Sequence, residues 1–173
     1  MDIPSYDIEK IKLDNYNKKT RNIILSNLKK YTKLKIFECS DCDLDKLPEL
    51  PNSLIHLECD YNDLTKLPKL PNSLISLYCS RCNLKELPEN LPISLKELYC
   101  SLNKIRELPK ELPNGLINLD INLNNSTFMH GSKYEWRSFT NEGGIVSLPG
   151  SIEKFYKKAS ISYLPAALAT LII

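Results

Sequence analysis

The residues best suited to chemistry in this 173-residue sequence are its six cysteines. Cys39 and Cys42 read C-x-x-C, and so do Cys79 and Cys82. Two such pairs are a ligand set for structural zinc. In a small secreted protein, six cysteines would instead suggest a disulfide framework. The two histidines, His56 and His130, are far apart in the chain. No Ser-His-Asp set, glycine-rich phosphate loop or histidine metal cluster appears. The sequence therefore predicts no catalytic residue and no cofactor, and the cysteines are the chemistry to be explained.

The elements that carry them are repeats. LPELPNSLIHLECDYNDLTK, residues 47–66, is followed at once by LPKLPNSLISLYCSRCNLKE, residues 67–86. A third copy starts at Leu87 and a fourth at Leu108. A fixed period in this range marks a solenoid, and the frame L-x-x-L-x-L-x-x-N-x-L marks a leucine-rich repeat. Cys39, Cys59, Cys79 and Cys100 share one repeat position, the second apolar site of the strand. Cys42 and Cys82 share another, where other copies carry Asn62, Asn103 and Asn124. The repeat thus accounts for all six before any bond is invoked. The two C-x-x-C pairs lie two repeats apart, about 9–10 Å at one strand spacing per repeat. Four sulfurs at about 2.3 Å from one ion do not fit that separation. The expectation is six structural thiols, with neither zinc nor disulfide.

The fold class follows: a mostly β solenoid with a parallel concave sheet, an extended convex side and an N-terminal helical cap. Inward positions are Leu34, Phe37, Cys39, Leu44 and Leu47, repeated as Leu54, Leu57, Cys59, Leu64 and Leu67, and so on to Leu116, Leu119 and Ile121. Alternation within L-x-L turns one face of each short strand inward. The LPxLP return path is too short and too rich in proline for a helix. The amides of Asn62, Asn103 and Asn124 can bond backbone groups of adjacent turns with both ends. Cys42 and Cys82 should hold their turns less tightly.

One domain spans 1–173. Residues 1–33 read as the helical cap, because a terminal repeat needs its open core covered. Ile24, Leu28 and Tyr31 give an amphipathic helix, and a second, shorter one is expected around Ser5 to Lys12. Residues 34–125 are regular repeats. Residues 126–144 read as an insertion of roughly 19 residues, against typical loops of about 4–6. It holds Trp136, His130, Phe128, Met129, Tyr134 and Phe139. That is too apolar for a solvated linker, so a folded projection is expected. Residues 145–173 read as degenerate C-terminal repeats. They finish on an apolar strand, Thr170 to Ile173, so a homodimer through that C-terminal edge strand is expected.

The tandem LPxLPxSLxxLxxxxNxL pattern resembles the short bacterial-type repeats of YopM-like and IpaH-like effectors. Similar repeats occur in uncharacterised giant-virus leucine-rich repeat proteins, which suits the lysine-, isoleucine- and asparagine-rich composition. The resemblance covers Leu34 to about Asn125 well and 145–173 loosely. It implies a curved solenoid that binds host or cellular proteins, with a helical N-terminal cap. Cys39-Ser40-Asp41 matches the C-x-D signature of IpaH-type ligases. In that family the motif lies in a helical catalytic domain, whereas here it falls on a repeat strand. A thiol buried there is no nucleophile.

Outward positions form three columns across the concave sheet. Ile36, His56, Ser76, Glu97, Asn118 and Lys154 make the first. Glu38, Glu58, Tyr78, Tyr99, Asp120 and Tyr156 make the second, and Ser40, Asp60, Ser80, Ser101, Asn122 and Lys158 the third. The N-terminal end reads as acidic, the middle as tyrosine-paired and the C-terminal end as basic. Tyrosine offers a large contact area and a polar tip. The candidate partner-binding residues are Glu38, His56, Glu58, Asp60, Tyr78, Tyr99, Asp120, Trp136 and Tyr156. The expected function is a non-enzymatic protein-binding module. The alternatives are an enzyme or enzyme subunit with its site in 126–144, and a self-assembling structural module. A net charge of +2, from 23 basic and 21 acidic side chains, gives no field for nucleic acid. The first residues lack a signal-peptide core. The longest apolar run, Tyr163 to Ile173, is too short to span a bilayer as a helix. A cytoplasmic protein is expected, in the host cell if it is viral or an effector.

Overall fold

The computed structural model describes residues 3–106, 109, 112–121 and 124. Among these residues, six strands of three residues each form one parallel sheet in chain order. They are β1 (Lys10–Lys12), β2 (Ile36–Glu38), β3 (His56–Glu58), β4 (Ser76–Tyr78), β5 (Glu97–Tyr99) and β6 (Asn118–Asp120). Phe37, Leu57, Leu77, Leu98 and Leu119 stand in register at the strand centres, all inward and buried. The leucine period therefore sets the strand register directly. Each strand stops short because the chain then turns. Asp41, Tyr61, Arg81 and Leu102 hold positive φ of 52–54° at equivalent places. That conformation costs a non-glycine residue about 1–2 kcal/mol, so something must hold each turn closed.

The asparagine ladder does so. Asn62, Asn103 and Asn124 are buried. Asn103 Nδ2 donates to the carbonyls of Cys79 (2.8 Å) and Cys100 (3.0 Å), and its Oδ1 accepts the Leu84 N–H (3.0 Å). Asn124 repeats the pattern with Cys100, Ile121 and Ile105. Cys82 occupies the same place with fewer bonds: its thiol donates to the Cys59 carbonyl at 3.3 Å. Among the described residues no buried side-chain nitrogen or oxygen is left without a partner.

A second ladder runs along the return path. The Leu54, Leu74, Leu95 and Leu116 N–H groups donate back to the carbonyls of Pro51, Pro71, Pro92 and Pro113, closing a tight turn into each strand. Within it, the Ser73 hydroxyl lies 2.7 Å from the Asn52 carbonyl and 2.6 Å from that of Leu54. Ser94 bridges Asn72 and Leu74 in the same way. The next copy has Gly115 there, so the equivalent carbonyls of Ile93 and Leu95 lose this donor. A Cβ at Gly115 would meet nothing nearer than the Ile93 carbonyl, at 3.9 Å. Gly115→Ser is therefore expected to stabilise the protein by about 1–2 kcal/mol, from one regained hydrogen bond and a less flexible unfolded chain. Urea melts check it; an unchanged or lower midpoint counts against the ladder.

The core is one continuous cluster from Ile11 to Leu119. Leu44 and Leu67 are only half-buried. The second leucine of the return path is buried in the cluster at Leu50, Leu70 and Leu112 and partly buried at Leu91, although the repeat frame did not single it out.

The first 33 residues differ from a purely helical cap. No helix occupies Ser5 to Lys12; a turn there leads into β1, which pairs in parallel with β2. Lys10-Ile11-Lys12 alternates exposed, buried, exposed, which is the period of a strand. Helix α1 follows at Lys18–Ser26, capped by the Asn17 side chain accepting the Thr20 N–H at 3.0 Å. It is shorter than the spacing of Ile24, Leu28 and Tyr31 implied. Leu28 and Tyr31 are buried just beyond it, Leu28 in a 3-10 turn at Leu28–Lys30. Arg21 fastens the helix to the turn that follows β1, donating from Nε to the carbonyls of Leu13 (3.0 Å) and Tyr16 (2.8 Å). The 126–144 insertion, the degenerate repeats and the C-terminal strand lie outside the described residues.

Candidate interaction surface

The concave face carries a tyrosine pair at its centre. Tyr78 on β4 and Tyr99 on β5 are register partners. Their rings stack with centroids 4.6 Å apart and planes 11° apart. Parallel in-register strands put these side chains about one strand spacing apart, so the stack follows from the sheet. His56 on β3 extends the row, its ring 5.3 Å from that of Tyr78 and tilted by 45°.

Carboxylates surround the row, each oriented by neighbouring strands. Glu97 on β5 accepts from the Ser76 hydroxyl (2.9 Å), the Tyr78 hydroxyl (3.2 Å) and the Asn118 amide (3.2 Å). Burial, then the nearby Glu97 charge, pushes the Tyr78 phenol up to about 12. Glu58 accepts from the Ser40 hydroxyl at 3.1 Å and lies 3.9 Å from His56 Nε2. Asp60 accepts the Ser80 N–H at 2.6 Å, and burial raises its pKa against that bond. Beside this column Arg81 sits over the exposed Tyr61 ring, 5.1 Å from its centre.

Glu38, His56, Glu58, Asp60, Tyr78, Tyr99 and Asp120 thus share one face, as the columns of the sequence placed them. Trp136 and Tyr156 lie outside the described residues, as do Lys154 and Lys158 of the expected basic end. The N-terminal end is not simply acidic. Strand β1 brings Lys10 and Lys12 beside Glu38, and Lys10 forms an ion pair with it. Glu97 joins the candidate residues as the group that accepts from the Tyr78 hydroxyl. Its place in the column between Ser76 and Asn118, diagonal to Tyr78, was the available signal.

The thiols face the other way. All six are free and buried. Burial is the main cause pushing Cys39, Cys59, Cys79 and Cys100 far above the ordinary thiol value. Cys42 and Cys82 are raised for the same reason, with backbone N–H groups of Asn62 and Leu64 opposing it at Cys82. Thiolate chemistry, including nucleophilic attack by Cys39 of the C-x-D sequence, is disfavoured in such surroundings. Among the described residues no group of three or more His, Cys, Asp or Glu is placed to hold a metal ion. No helix among them is long and apolar enough to cross a membrane.

Strands of three residues, a buried asparagine or cysteine at each turn and an extended return path define a leucine-rich repeat solenoid of the bacterial type. Two solved structures have this fold with recognisable sequence similarity. YopM from Yersinia enterocolitica aligns over 55% of this chain at 38% identity, with a TM-score of 0.53. A Shigella effector leucine-rich repeat domain aligns over 57% at 37% identity, with a TM-score of 0.54. This chain spans only 21% of the first and 44% of the second. No protein-family model and no curated protein sequence matches it.

Proposed function

We propose that this chain is a non-enzymatic protein-interaction module that receives a protein partner on its concave sheet. The observation that carries the reading is the stacked Tyr78–Tyr99 pair, held at the centre of that face by Glu97. Two rings fixed against each other give up little rotamer freedom on binding. They present the rigid aromatic area typical of interface anchors. Extended concave surfaces are what solenoids use for binding. Glu38, His56, Glu58, Asp60 and Asp120 form the surrounding polar contacts. Burial of every thiol supports the non-enzymatic reading. The likeness to a Shigella effector domain supports an effector-like role, in the cytoplasm of a cell the protein enters or infects.

Affinity capture from cell lysate tests the surface. Wild type is expected to retain a discrete protein that Tyr78→Ala/Tyr99→Ala loses, while circular dichroism shows both proteins folded. Equal capture by both would move the binding site away from the concave face.

A further inference from the structure

The charges of this protein are segregated. The chain as a whole carries +2. Yet the three outward columns from β2 to β6 hold Glu38, Glu58, Asp60, Glu97 and Asp120, and neither Lys nor Arg stands in them over the described residues. Lys10 of β1 engages Glu38 at one edge. The inner carboxylates are held differently. Glu58 takes a serine hydroxyl, Asp60 a backbone N–H, and Glu97 a serine, a tyrosine and an asparagine. Those neutral donors orient the carboxylates without cancelling their charge. His56, 3.9 Å from Glu58, is the one titratable base among these columns.

Stacked tyrosine faces add to this field. An aromatic ring attracts a cation at its face, most often an arginine guanidinium. The protein already uses that contact on this flank, where Arg81 covers Tyr61. Asp60 is also half-desolvated, which penalises its ionised form. An arriving cation would offset that penalty.

We infer that the concave face recognises an arginine- or lysine-rich segment of its protein partner, seated across Tyr78 and Tyr99 with basic side chains on Glu58 and Asp60 at one side. This rests on the concave-face reading above and adds the chemistry of the partner. Glu58 on β3 and Tyr99 on β5 stand two strand spacings, or about 10 Å, apart. An extended segment covers that distance in about three residues, a helix in about six or seven. A nucleic acid or an acidic protein would be repelled by the same charges.

Fluorescence polarisation with two labelled 12-residue peptides tests this. One carries arginine at four positions in an alanine–serine background, and the other carries glutamate at the same four. The arginine peptide is expected to bind wild type, with affinity falling at least tenfold between 50 and 300 mM salt, on the order expected for screened charges. Glu58→Gln/Asp60→Asn is expected to weaken it at least tenfold, with the variant checked for an unchanged melt. The glutamate peptide is expected not to bind. No binding of the arginine peptide, equal binding to the charge-neutralised variant, or binding of the glutamate peptide would overturn the inference. The lysate capture separates the two readings. A partner lost from Tyr78→Ala/Tyr99→Ala but kept by Glu58→Gln/Asp60→Asn leaves the concave face as the site and removes the cationic segment. Captured material that nuclease releases would also overturn it.

Discussion

Raising the pH above about 8.5 is expected to destabilise this protein steeply. Cys39, Cys59, Cys79 and Cys100 are stacked in the core, where burial holds their pKa values far above that of an exposed thiol. The unfolded chain therefore ionises first. The stability that the neutral buried thiols contribute is complete below the unfolded value of about 8.5 and is lost as pH rises toward the folded values. Each thiol then costs about 1.4 kcal/mol per pH unit, so four remove about 5–6 kcal/mol at pH 9.5 relative to neutral pH. That approaches the whole stability of a typical domain, about 5–15 kcal/mol. The Tyr78 phenol, pushed up to about 12, adds a loss of the same sign above pH 10. Urea melts from pH 7 to 10 measure it, and Cys59→Ala should lower the slope by about a quarter even though it also removes packing. A flat profile between pH 8 and 9.5, or a slope indifferent to Cys59→Ala, would mean that the thiols are not buried as a column.

Asn62→Ala should cost about 3–4 kcal/mol. Its Oδ1 accepts from the N–H groups of Cys42 (3.2 Å) and Leu44 (2.9 Å). Its Nδ2 donates to the carbonyls of Cys39 (2.9 Å), Cys59 (3.0 Å) and Asp60 (3.1 Å). Truncation strands several of these groups in a site that is only 6% exposed, and each stranded group costs about 1–3 kcal/mol before relaxation. The turn at Tyr61, with φ 54°, would also lose the group that keeps it closed. Asn83→Ala is the control. Its amide makes one exposed bond, to Asp63 at 3.0 Å, so a change within about 0.5 kcal/mol is expected. Similar losses for both substitutions in denaturant melts would contradict the ladder.

The leucine frame was legible because each copy repeats the same burial problem. One register explains Leu54, Leu74, Leu95 and Leu116 together, and the cysteines with them. The asparagine ladder was legible for the same reason: a polar side chain at an invariant inward place needs backbone partners. Strand β1 was not. Ile8 and Ile11 are three apart, which reads as helix, while Lys10-Ile11-Lys12 alternates over only three residues. Pairing with β2 decides between them, and that contact spans about 26 residues of chain that periodicity does not see. The serine ladder went unread because a serine after proline and asparagine looks like ordinary turn chemistry. Its acceptors, the carbonyls of the preceding repeat, appear only once the coils are stacked. On the concave face, the columns placed Tyr78 beside Tyr99 correctly. The role of Glu97 was hidden because its partners Ser76, Tyr78 and Asn118 come from three strands, and Tyr78 sits in a different column. The charge balance of the face was misread at its N-terminal end for the same reason that β1 was, since Lys10 and Lys12 arrive only with that strand.

Site-specific photo-crosslinking addresses the binding face most directly. A crosslinking amino acid replaces either Ser101, outward on the concave sheet beside Tyr99, or Lys69, exposed on the return path. Both proteins are irradiated in cell lysate and their adducts compared by mass. The account predicts a discrete protein adduct from position 101, diminished by Tyr78→Ala, and none from position 69. An adduct from position 69 with none from 101 would contradict it.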